Sequence, residues 1–147
     1  MKTRRGYSRK YKKHSEKNIV QNLTLIGSNA GGLNLKRESL FNIINKHRPS
    51  IVSIQETKFT RYDSLKIPGY EVYECLRKEK TGGGILTAVL NSLDSAIVTR
   101  DELSEILVIQ VNIKGLSIRV LNAYGPQEDA DSLTTVKFLV KSRIRDY

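Results

Sequence analysis

Cysteine is nearly absent from this sequence. Cys75 is the only one in 147 residues, which excludes an internal disulfide framework and points to a reducing, intracellular setting. No stretch approaches the roughly 18 consecutive apolar residues that cross a bilayer, and the first residues lack the apolar run of a secretory signal. The sequence therefore reads as neither membrane-integral nor exported by that route. It also lacks any internal repeat. With 39% hydrophobic and 27% charged residues it is neither an entirely disordered chain nor a collagen-like or coiled-coil rod. What remains is a chain of one-domain length, able to bury roughly two-thirds of its unfolded surface in a packed core.

Negative charge is scarce at the two ends. Residues 1–17 hold eight Lys and Arg against the single acid Glu16, a net of +7. Residues 18–136 balance 13 basic against 13 acidic residues, and residues 137–147 add four basic and one acidic, a net of +3. The first segment has no apolar periodicity, so residues 1–17 are expected to form a basic flexible arm. One reading makes Arg4, Arg5, Arg9, Lys10, Lys12 and Lys13 a nucleic-acid or nuclear-import patch, with Tyr7 and Tyr11 able to stack on bases. The other makes the segment a solvated tail or translated upstream sequence.

From Ile19 onward strand patterns dominate. Leu23–Ser28 reads as a short strand running into the turn-rich SNAGG, and Ile51–Gln55 as a strand buried on both faces. Between them Leu40, Ile43, Ile44 and His47 fall at helical spacing, with Asn34 as a candidate cap and Pro49 as the stop. Five further β-type runs follow at Tyr70–Leu76, Ile85–Leu90, Ala96–Thr99, Leu107–Ile113 and Ser117–Ala123. Their short separations favour antiparallel neighbours. A closing helix is expected over Ser132–Arg145, with Asp129 and Asp131 before it and Lys141, Arg143 and Arg145 near its end complementing the macrodipole. The fold class is α/β, a mixed sheet covered on at least one face by helices.

Polar residues interrupt the strand ends at three places where a following loop can open a cleft. Asn29 stands beside Gly31 and Gly32, which permit close backbone approach, though such a run also serves as an ordinary turn. Glu56 follows four residues of apolar strand and supplies a hard oxygen ligand of the sort Mg²⁺ prefers, though a carboxylate at a strand end is commonly just solvated. Asn122 and Tyr124, two apart, share one strand face before a Gly-Pro turn, and a Tyr there can simply pack on the sheet edge. Gly82-Gly83-Gly84 can approach a phosphate backbone but matches no P-loop or dinucleotide fingerprint, and by itself suits a flexible hairpin loop.

Taken in order, NLTLIGSNAGGL, PSIVSIQETK, IPGYEVYE, TGGGIL and IRVLNAYGPQE resemble the N-terminal part of the endonuclease/exonuclease/phosphatase superfamily. The nearest look is to exonuclease III-like abasic-site nucleases and to the endonuclease domains of non-LTR retrotransposons. The resemblance spans residues 19–140, with QETK and NAYGPQ its specific parts. It implies an incomplete four-layer α/β sandwich in residues 18–147, mostly the first mixed sheet with its covering helices and truncated at the C-terminus. It also implies metal-dependent phosphodiester hydrolysis of DNA, with Mg²⁺, or alternatively Mn²⁺, as cofactor. Glu56 would be the metal-binding carboxylate, Asn29 would order the metal's water shell and the phosphate, Tyr124 would offer its hydroxyl to the scissile phosphate, and Asn122 would support them.

Several positions depart from the family pattern. Ser28 stands where an aromatic residue is common, and Gly31 where the family's loop carries a second polar side chain. The family's downstream Asp-x-Asn and Asp-His elements have no counterpart before Tyr147, and neither histidine, His14 or His47, replaces them. Two expectations follow: a nuclease front portion completed by a missing C-terminal half or by self-association, or a non-catalytic retroelement remnant that at most binds nucleic acid through its arm. Half a sandwich would leave Ile51–Ile54 and Leu107–Ile113 partly uncovered. Removing residues 1–17 is expected to weaken nucleic-acid binding and flatten its salt dependence, because up to eight phosphate neutralisations are lost. An unchanged slope of log K against log salt would make the segment an inert tail.

Overall fold

The structure, a computed structural model, describes residues 22–77, 82–125 and 136–141. Eight strands and one α-helix follow in the order β1 (Leu25–Asn29), α1 (Arg37–His47), β2 (Ile51–Gln55), β3 (Tyr70–Cys75), β4 (Ile85–Leu90), β5 (Asp94–Asp101), β6 (Ile106–Ile113), β7 (Leu116–Ala123) and β8 (Val136–Lys141). They form two four-stranded sheets. The first has the order β1-β2-β4-β3, with β1 parallel to β2 and the other pairs antiparallel. The second is an antiparallel meander, β5-β6-β7-β8. Lys114 and Gly115, both at positive φ, make the two-residue turn between β6 and β7 that matches the strands' twist.

The apolar patterning explains the layers. Strands β2 and β4 are buried on both faces because they lie in the middle layer. Their outward residues Val52, Ile54, Leu86 and Ala88 pack with Leu40 and Ile44 of α1 and with Phe59, Leu65 and Ile67 of the loop after β2. Their inward residues Ile51, Ile85 and Val89 meet Leu107, Ile109, Val111, Ile118 and Val120 of the second sheet. Strand β6 alternates buried and half-buried positions, as a strand with one core face should. No helix among the described residues is long and apolar enough to cross a membrane.

Three expectations are corrected. The inner faces are not left uncovered: Ile51 and Leu107 are each fully buried, because the second sheet closes on the first. Within Ser132–Arg145 the described stretch is strand β8, not helix. The β6–β7 hairpin leaves β7 with an unpaired edge, and β8 satisfies its backbone groups from Ser117↔Lys141 to Asn122↔Val136. The alternation of VKFLVK suits that pairing and outweighs the helix-end charges. The remaining positions of that expected helix lie outside the described residues. Asn34 does not cap α1. It sits in a 3-10 turn, Asn34–Lys36, and its Oδ1 accepts from Nε and Nη2 of Arg37 at 3.2 and 2.9 Å. The stop at Pro49 holds, with Arg48 left-handed at φ 47° closing the helix through a bond to the Ile44 carbonyl.

The inter-sheet layer dominates stability. Ile109→Ala is expected to cost about 2–5 kcal/mol in equilibrium denaturation, from lost transfer energy plus the cavity. Ile97→Ala, on the half-open β5, is expected to stay within about 1 kcal/mol.

Candidate active site

Strands β1 and β2 end side by side, Asn29 in register with Gln55. The pairing continues past their ends: the Ala30, Gly32 and Leu33 amides donate to the Gln55, Glu56 and Thr57 carbonyls at 2.8, 2.8 and 2.9 Å. On the other side the Thr57 and Lys58 amides donate to the Gly84 and Gly83 carbonyls at 3.0 and 2.7 Å. Glu56 is thus held between two loops. That bracing sustains its left-handed φ of 54°, a conformation that a non-glycine residue adopts only when its surroundings impose it.

Strand β7 brings Tyr124 to the same end from the other sheet. Its hydroxyl donates to Glu56 Oε1 at 2.6 Å, across 68 positions of sequence. That bond to the carboxylate, reinforced by burial, raises the phenol's pKa, so Tyr124 remains a protonated donor at neutral pH. Glu56 Oε2 faces the opposite way, 3.8 Å from where a Cβ on Gly31 would stand. Asn29 is exposed beside this loop, and its Oδ1 accepts from the Gly31 amide at 3.0 Å, an Asx turn that fixes the side chain. The structure therefore brings Asn29, Glu56 and Tyr124 to one end of the sandwich.

Asn122 lies apart from this open surface. It is fully buried between the sheets, and its Nδ2 donates to the Ile54 and Leu86 carbonyls at 3.2 and 3.0 Å and to Thr87 Oγ1 at 3.3 Å. Gln55 reciprocates, donating from Nε2 to the Ala123 carbonyl at 2.9 Å. These bonds tie β7 to β2 and β4 just below Tyr124, while Asn122 Oδ1 is buried without a hydrogen-bond partner. The arm residues Arg4, Arg5, Arg9, Lys10, Lys12 and Lys13 lie outside the described residues.

Two residues that the sequence did not single out complete the scaffold. Glu105, left-handed at φ 48° and buried, accepts from Nε and Nη2 of Arg77 at 3.0 and 2.6 Å and from the Gly84 amide. Its carbonyl accepts from the Tyr124 amide at 3.1 Å, and the Arg77 guanidinium stands 5.8 Å from the centre of the Tyr124 ring. One residue thus ties the ends of β3 and β7 to the starts of β4 and β6, through its carboxylate to Arg77 and Gly84 and through its carbonyl to Tyr124. The glycine run is what admits it: a Cβ on Gly83 would collide with Arg77 and Glu105, and one on Gly84 would stand 2.6 Å from Thr57 Oγ1. An acid before an apolar strand looks like a solvated turn residue. The three consecutive glycines were the available signal that something packs against the backbone there.

For a metal, the donor set is sparse. Among the described residues no group of three or more His, Cys, Asp or Glu converges. Glu105 is engaged by Arg77 and Gly84, which leaves Glu56, with the Asn29 amide beside it, on the open side. One carboxylate and an amide fit Mg²⁺ or Mn²⁺, hard cations that keep several waters, and do not fit a closed structural zinc site.

These two sheets with their strand order and flanking helix are the front part of the endonuclease/exonuclease/phosphatase fold. No family model matches the chain. Among solved structures, it is similar to the endonuclease domain of TRAS1, a telomere-specific non-LTR retrotransposon, with a TM-score of 0.58 and 16% identity over 71% of this chain and 46% of that one. It is also similar to the AP endonuclease LMAP from Leishmania major, with a TM-score of 0.59 and 22% identity over 69% of this chain and 39% of that one. The chain spans less than half the length of either, and likeness at these identities establishes the fold.

Glu105→Ala is expected to destabilise the protein by about 3–5 kcal/mol, because it strands the Arg77 guanidinium. Glu105→Gln, which keeps an acceptor, should cost less. Equilibrium denaturation of both variants checks the order, and equal costs would refute the charge-pair account.

Proposed function

We propose that this end of the sandwich is the front portion of a divalent-metal-dependent phosphodiesterase site that acts on DNA, of the kind found in non-LTR retrotransposon endonucleases. The observation that carries this reading is the 2.6 Å bond from Tyr124 to Glu56, which unites the QETK and NAYG segments into one site. The likeness to a retrotransposon endonuclease domain and to an AP endonuclease supports it.

Glu56 and Asn29 would hold the Mg²⁺ or Mn²⁺. When bound, that cation neutralises the charge that builds on phosphate oxygens as a phosphodiester is cleaved. Tyr124 keeps its proton at neutral pH, and its one O–H, donated here to Glu56 Oε1, would have to turn from the carboxylate to serve a phosphate oxygen. Asn122 and Glu105 hold Tyr124 at the correct height, the first through β2 and β4 and the second through its backbone amide. Residues 22–125 therefore supply charge neutralisation and positioning, and the family resemblance assigns activation of the attacking water to elements downstream of the matched segments.

A second reading, a non-catalytic nucleic-acid-binding module, is favoured by Gly31, which offers no side chain where Glu56 Oε2 comes within 3.8 Å. Nicking of supercoiled and abasic-site DNA in Mg²⁺ separates the two. The first reading expects nicking by the protein that Glu56→Gln abolishes while duplex binding persists. Binding without nicking by the folded protein favours the second, and nicking that survives Glu56→Gln removes Glu56 from the site.

A further inference from the structure

A second charged group borders the Gly31 position. Lys36, an exposed residue at the end of the 3-10 turn, folds back so that its Nζ donates to the Ala30 carbonyl, which holds the ammonium over the loop. The place where a Cβ on Gly31 would stand is 3.7 Å from that Nζ and 3.8 Å from Glu56 Oε2. An ammonium and a carboxylate therefore both border the space that glycine leaves open at position 31. Arg77 and Glu105, behind Tyr124, form an ion pair of their own. A polar side chain at position 31 would fill that space; its absence makes the lysine accessible to a ligand.

We infer that Lys36 is a phosphate-binding residue of this site: its ammonium, held by the Ala30 carbonyl and bordering with Glu56 the space at Gly31, takes a non-bridging oxygen of a nucleic-acid backbone. The inference rests on the reading of this end as a phosphodiester site. A phosphodiester carries one negative charge, which one ammonium can match, and the Lys36 ammonium retains two N–H donors beyond the one used on Ala30. Lys36 also offsets the repulsion between the incoming phosphate and the Glu56 carboxylate. The position of the lysine sets which side of Glu56 the backbone crosses, namely the Gly31–Gly32 side, which the Lys58 side chain also borders, its Cδ 3.5 Å from where a Cβ on Gly32 would stand.

The test is binding of a 20-base-pair DNA duplex by the full chain in EDTA over a range of salt, so that hydrolysis does not enter. Lys36→Gln is expected to make the slope of log K against log salt less negative by about 0.9, the loss of one phosphate contact. Lys36→Arg keeps the charge and should keep the slope, as should Lys46→Gln, at the far end of α1 and roughly 15 Å along the helix. An unchanged slope for Lys36→Gln, or an equal change for Lys46→Gln, overturns the inference, as does absence of duplex binding by the unaltered protein. Duplex binding with the Lys36 effect but no nicking in Mg²⁺ overturns the hydrolytic reading and leaves the phosphate contact standing.

Discussion

The register of one sheet on the other is the constraint on which the candidate site depends. Apolar packing between β2, β4, β6 and β7 supplies the cohesion, but the hydrophobic effect is non-directional and does not choose among small sliding displacements. Two side-chain amides choose. Asn122 reaches down to the Ile54 and Leu86 carbonyls, and Gln55 reaches up to the Ala123 carbonyl. Sliding the sheets by one residue would leave these buried groups unpaired, a penalty of about 1–3 kcal/mol for each. The bond between Tyr124 and Glu56 at the mouth of the sandwich follows from that register, because each residue immediately succeeds a pinned strand end.

Backbone strain and buried charge are concentrated at the same end. Glu56 and Glu105 both adopt left-handed conformations, and each is stabilised by hydrogen bonds from neighbouring loops. The buried ion pair of Glu105 with Arg77 resists sliding as well, since separating its members would leave an unpaired charge in the interior. Three consecutive glycines let these groups approach the main chain. The result is a braced floor beneath the Glu56 carboxylate, the Asn29 amide, the Tyr124 phenol and the Lys36 ammonium.

Much of this was legible in the sequence, for identifiable reasons. Strands β2 and β4 declared themselves as unbroken apolar runs because both their faces are buried, and the polar residues ending β2 and β7 marked the site because they interrupt such runs. Strand β8 was misjudged because acids at one end and bases at the other mimic a helix, whereas the free edge of β7 that recruits it is a tertiary fact. The roles of Arg77 and Glu105 were hidden because their partners lie 28 positions apart and neither sits in a motif. Closure of the inner faces was missed for a related cause: the second sheet arises from runs that could equally have extended the first. Asn122 and Tyr124 fall on one face, as their spacing requires, yet the first ends inside the sandwich and the second at its rim.

On the proposed function, the Glu56 end is prepared for a hard divalent cation. Titration of the isotope-labelled full chain with Mn²⁺, read by paramagnetic broadening of backbone amides, tests this without requiring turnover. Selective broadening of amides in the 29–33 and 56–58 loops and at Tyr124, lost in Glu56→Gln, is expected. Broadening spread evenly over the surface acids, or a pattern unaltered by Glu56→Gln, would contradict it.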